Sequence, residues 1–423
     1  MTVCIMKKLL FIITFLTATV TVAAQPYTDA VFKPEIKSIE LYNESKQGSL
    51  PVIALNSSEK LVLGFDDLTG QTRNFYYTIE HCDANWNSSR LSPAEYLQSF
   101  TEDQILNYKY STRTYRKYVH YEIEFPNANI IPKYAGNYIL KVYEDGDQNN
   151  LIFTRKLYIL NQRVSAAVTI VPSTNVTKRQ TNQKLNFTID YGSLRVQNPG
   201  TDMRVLVMQD YRPDASILNV KPTYIRGTQL IYNDVNINDF PGRNEFRYFD
   251  MRSLKAGAPG IARIYRDTVA TVLLNNDVNR SSEAYTSQYD NDGNFFILNS
   301  DGDDPRIDAD YAHVYFNLDA RKTDKEGSAY VVGRFNNFTI DENSRMQYDG
   351  QSGRFFTEQF LKQGVYDYEY VWVDKATGKA DDTVIEGSHF ETENNYQLFI
   401  YYRPPGARWE ELAGVQEVNS GKR

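Results

Sequence analysis

What limits the possible folds of this chain most is a rhythm. Short runs that alternate apolar and polar residues, each closed by a cluster of Gly, Asn, Asp or Pro, recur from one end to the other. In "VYDYEYVWVD", residues 365–374, Tyr366, Tyr368, Tyr370 and Trp372 fall on one side of an extended backbone and Asp367 and Glu369 on the other, because successive side chains of a strand point in opposite directions. A helix has no use for a period of two. The 32 Tyr and 22 Phe favour pleated, half-buried surfaces for the same reason. The chain therefore reads as all-β, a tandem of immunoglobulin-like or fibronectin-like β-sandwich domains with very little helix, and residues 365–374 read as a half-buried antiparallel strand.

Its 423 residues suffice for two to four domains at about 100 to 200 residues each. The first 24 read as a cleavable signal peptide: Lys7 and Lys8, an apolar run from Leu9 to Val22, and a small-residue site at Ala23-Ala24. A first sandwich is expected over 25–163, with strands in "KLVLGFDDL", "NFYYTIEHC" and "KYVHYEIEFP" and a hairpin around Asp145-Gly146-Asp147. Ser92, Pro93 and Glu95 have the spacing of a capping box at the start of one short helix. A middle β-rich domain is expected over 164–305. A C-terminal immunoglobulin-like sandwich is expected over 306–406, and a tail over 407–423.

Charge and cysteine usage remove several functions. Losing the leader takes away two lysines and no acid, so the formal charge goes from −7 to −9, a poor basis for neutralising nucleic-acid phosphates. Cys82 is then the only cysteine left, which rules out an internal disulfide. No later run approaches the roughly 18 apolar residues of a spanning helix. The mature chain is expected to be exported and soluble.

Little of the sequence looks chemical. His81, Cys82 and Asp83 stand side by side in "NFYYTIEHCDANW", yet neighbours on a strand cannot converge on one ion. They read as a strand end with a buried thiol followed by a turn in which Asp83 and Asn85 hold backbone groups and Trp86 folds back. His120 alternates with Glu122 and Glu124 on a polar strand face, and His313 with Tyr311 and Tyr315; neither has zinc-ligand spacing. A nucleophile elbow, a Walker loop and a dinucleotide fingerprint are all missing. The acidic turns near Asp290 and Asp301 have oxygen ligands for calcium but not the glycine and glutamate positions of an EF-hand loop, and read as hairpin connections. Thus no catalytic, cofactor or metal residues are expected. "GRFNNF", Gly333 to Phe338, is similar to carbohydrate-binding modules of glycogen-handling enzymes, with Phe338 where tryptophan usually stands. Glycan binding through Phe338 and Trp372 is therefore the alternative reading.

Read in order, "LVLGFDDL", "FYYTIEHCDANW", "LSPAEYLQSF", "YAGNYILKVYEDGD", "FRYFDMRSL" and "FNNF" resemble the plug protein family of the bacterial type IX secretion system. The resemblance runs from about Ile36 to Tyr402 and is most specific from F-D-D-L to H-C-D-x-x-W. It implies a non-enzymatic periplasmic protein, associated with the outer membrane, that closes the periplasmic mouth of the giant translocon β-barrel when no cargo passes. It implies neither a cofactor, nor a nucleic-acid partner, nor a small-molecule substrate, and it assigns no translocon-contact residues. The stretch from Arg212 to Gly227 is expected to be an exposed loop whose aromatics suit such a contact. The tail lacks the strand-rich sorting domain of type IX cargo, as expected of machinery.

Overall fold

The computed structural model describes residues 25–421 apart from 193, 256, 320–322, 324 and 325. The expected signal peptide lies outside the described residues. The fold is all-β, as the alternation requires, with single-turn helices between strands. One of these, Pro93–Tyr96, begins where the capping box places it: the Glu95 carboxylate accepts the Ser92 N–H at 2.8 Å.

Three apolar cores organise the chain. The first lies between a four-stranded sheet (Ile36–Asn43, Leu61–Asp67, Val119–Phe125, Tyr108–Tyr110) and the strands Phe75–Cys82, Gly136–Glu144 and Leu151–Leu160. Phe65, Phe75, Tyr121 and Phe153 meet at its centre with ring centroids 4.9 to 5.4 Å apart, the offset and edge-on contacts that aromatic rings favour. The second core joins Ser165–Pro172, Asn182–Asp190 and Gln229–Tyr232 to Met203–Gln209, Asn395–Tyr402 and Glu411–Asn419. The third core lies between sheets built from 247–381, with Tyr366, Tyr368, Tyr370 and Trp372 inside it.

This grouping differs from the divisions expected at 305/306 and 406/407. The third sandwich is inserted into the second, whose last two strands come from the far end of the chain, and Glu411–Asn419 is a strand rather than a tail. Its entry and exit segments run side by side: His389 N–H donates to Arg243 O at 2.9 Å, and a Cβ on Gly242 would stand 1.9 Å from His389 O, so only glycine fits there.

First and second sandwiches share one ten-stranded sheet, joined where Leu160 lies parallel to Leu412. The face of this sheet turned away from both cores carries a further apolar layer that includes Cys82, Trp86, Tyr158 and Phe399.

Candidate functional site

His81 points into the first core, edge-on to Tyr138 at 5.0 Å, and burial pushes its pKa down to about 4. Cys82 points the other way into the apolar layer, where burial pushes the thiol up. Asp83 accepts the backbone N–H groups of Asn85 and Asn87, both at 2.9 Å. The trio therefore diverges, as strand geometry dictates, and each member has a packing or turn-forming role. His313 sits on an outer sheet surface beside Glu358. Phe338 and Trp372 are both buried, so neither ring offers a face for a sugar to stack on.

The two acidic turns bind protein groups. Asp290 accepts the Phe246 N–H at 2.5 Å and the Asp292 N–H at 3.0 Å. Asp303 pairs with Arg113 at 3.0 Å, Asp310 takes the N–H groups of Tyr115 and Arg116 at 2.7 and 3.1 Å, and Asp301 accepts from Ser253 at 3.0 Å. Among the described residues no cluster of His, Cys, Asp and Glu is arranged to hold a metal.

Polar chemistry concentrates at two seams between sandwiches. At the seam of first and third, Asp66 is wholly enclosed. Its carboxylate meets Lys362 Nζ at 2.7 Å, His120 Nδ1 at 2.7 Å and the Tyr311 hydroxyl at 2.7 Å; the lysine also donates to Arg306 O at 2.9 Å and lies 4.2 Å from the Tyr118 ring centroid. Burial alone would raise Asp66, but the Lys362 ammonium and His120 outweigh it and hold the carboxyl below its usual range. His120 lies on the polar strand face expected of it, and the third sandwich packs against it there, leaving it buried.

At the seam of second and third, Arg212 is fully buried between Glu369, Asp382 at 3.3 Å and Asp214 at 2.7 Å, and Asp382 is shared with Arg243 at 2.8 Å. Phe338 lies under the Arg212 guanidinium at 4.7 Å. Two expectations fail here. Residues 212–218 form a strand against Met203–Gln209 rather than a free loop, and Asp367 and Glu369 are as buried as the tyrosines between them. Arg212 of the second sandwich covers Glu369, whereas Asp367 is covered by a turn of the third, accepting from Asn291 Nδ2 at 3.0 Å and the Gly293 N–H at 3.2 Å. Tyr224–Arg226 alone of that stretch is an exposed strand. Acids outnumber their partners at this seam: burial raises Asp210 to about 7, Asp290 to about 8 with help from Asp367, and Asp367 to about 7.

Sequence could have hinted at the first seam, since Asp66 belongs to F-D-D-L, but nothing in the chain marks Lys362 as its partner. The arrangement fastens rigid sandwiches together.

Residues 36–161 match the family described as type 9 secretion system plug protein 1st domain. The crystal structure of a hypothetical protein from Parabacteroides merdae ATCC 43184 is similar over 94% of this chain and 100% of that one, at 30% identity and a TM-score of 0.89. No curated protein matches.

Proposed function

Because the chain belongs to the type 9 secretion system plug protein family, we propose that it is a non-enzymatic periplasmic plug, associated with the outer membrane, that closes the periplasmic opening of the type IX translocon β-barrel when no cargo is in transit. The observation that carries this reading is the family match across the whole first sandwich. The architecture supports it: a shared ten-stranded sheet and enclosed ion pairs make a stiff body, which is what an occluding element needs. Among the described residues no helix is long and apolar enough to cross a membrane, in keeping with attachment through protein contact. A plug must also leave, so the contact should be of moderate size and partly polar.

The test is to purify the tagged mature chain from gently solubilised outer membranes and identify its partners by mass spectrometry. A very large outer-membrane β-barrel in stoichiometric amount is the expected result. Repeated recovery of the chain without one, under conditions that keep the barrel intact, would overturn the reading.

A further inference from the structure

A cavity of about 110 Å3 lies where all three sandwiches meet. Arg155, Lys156, Asp29 and Glu40 of the first line it, with Tyr211 of the second and Arg334 of the third. Buried cations are ordinarily paired with carboxylates. Arg155 is buried and Lys156 and Arg334 are half-buried, yet among the described residues no carboxylate lies within ion-pair distance of any of the three.

Arg155, 8% exposed, donates only through Nη1, to Thr154 O at 2.8 Å and Ala30 O at 3.4 Å, which leaves Nε and Nη2 without a partner among the described residues. Arg334 donates to Gly48 O, Ser49 O and Asn294 Oδ1 at 3.0 to 3.3 Å, all neutral acceptors. Lys156 holds its ammonium 4.6 Å from the Trp86 ring centroid. Both carboxylates that reach the cavity already accept from neutral donors: Asp29 from the Lys156 N–H at 2.7 Å and Glu40 from Gln47 at 2.9 Å. Burial lowers Arg155, Lys156 and Arg334 from their ordinary values.

We propose that this cavity binds a small oxyanion, a phosphate or carboxylate group, clasped between Arg155 and Arg334. Guanidinium groups suit such anions because their N–H donors form a planar fork. Three cations against two carboxylates in the lining give a local surplus of positive charge inside a net acidic chain. The assignment also gives a role to Gly333–Phe338, since Arg334, Asn337 and Phe338 line this cavity rather than a sugar-binding surface. The backbone is left-handed at Tyr211, φ 59°, and at Phe338, φ 53°, a conformation bulky residues hold only when their surroundings enforce it.

The experiment titrates the mature chain with inorganic phosphate and, separately, acetate at constant ionic strength, following the thermal unfolding midpoint and the heat of binding. A ligand that binds only the folded state raises the midpoint saturably. The expected result is such a rise with at least one anion, with affinity about tenfold weaker in Arg334→Gln, one charge-assisted hydrogen-bonding group having been removed, and unchanged in the exposed control Arg113→Gln. A response to phosphate alone identifies a phosphate group, and one to acetate a carboxylate. Should Arg334→Gln fail to fold, Arg334→Lys keeps the charge, loses the fork and should still weaken binding. No saturable response to either anion, or an equal response in the Arg334 variants, would overturn the proposal.

Discussion

The two seams around the third sandwich use the same chemistry in opposite proportions. Against the first sandwich, one enclosed carboxylate, Asp66, is met by Lys362, His120 and Tyr311. Against the second, two enclosed acids, Glu369 and Asp382, share Arg212 and Arg243. An ion pair removed from water repays its desolvation only when geometry and hydrogen bonds are complete. The first seam meets that condition with the carboxyl ionised, whereas the second has carboxyls that burial favours in the protonated form. Two interfaces of one inserted domain thus differ in what removing a charge, or a proton, should do.

The sharpest way to break the comparison is Lys362→Met. It strands Asp66 in a dry site and should cost about 3–5 kcal/mol, read from urea unfolding at pH 7; adding Asp66→Asn should recover much of the loss. Arg212→Met should cost roughly half as much, because burial already pushes Glu369 up and it can take up a proton, while Arg243 still holds Asp382. Equal losses at the two seams would refute the distinction.

Proton linkage sharpens it further. Asp210 titrates at about 7 in the folded chain against a carboxylate value near 4 when unfolded. Between those values the folded state keeps a proton the unfolded chain has released, so stability falls as pH rises from about 4 to 7. Asp66, whose value is lowered, and Glu386, lowered to about 2 because Arg247 and Arg280 outweigh burial, act in the opposite sense: their contribution is present above about pH 4 and is lost as pH falls below it. Asp210→Asn should therefore flatten the decline between about pH 4 and 7 by about 1–3 kcal/mol and leave the acid limb below about pH 4 unchanged. The smallest effect sets the baseline. Lys375 and Glu326 pair at 3.2 Å in full solvent, and Lys375→Ala should leave the unfolding midpoint within error.

The alternation in 365–374 correctly places Tyr366, Tyr368, Tyr370 and Trp372 in a core, and the neighbours His81 and Cys82 do diverge. These are local consequences of backbone geometry, which a sequence carries residue by residue. Whether a strand's polar face meets water or another domain is settled by packing between distant segments. Glu369 therefore looked exposed, Arg212 looked like a loop residue, and the polar face that carries His120 gave no sign of the domain packed on it. The strand Glu411–Asn419 pairs with its near neighbour Asn395–Tyr402, but the strand beyond that one, Met203–Gln209, lies across the insertion. The cavity between Arg155 and Arg334 was equally invisible, since its lining comes from all three sandwiches.

The insertion also sets an order in time. A chain that emerges from its N-terminus can close the first sandwich as soon as Leu151–Leu160 is present, since that core is contiguous in sequence. The second cannot close: Leu185, Phe187 and Val205 wait for Leu398 and Ile400, which follow the whole third sandwich, and contacts of such separation form slowly. During that interval half a β-sandwich stands open with its apolar face uncovered, a state prone to wrong pairing. Completing the second sandwich is then the last step of maturation, and it fastens the third in place behind it.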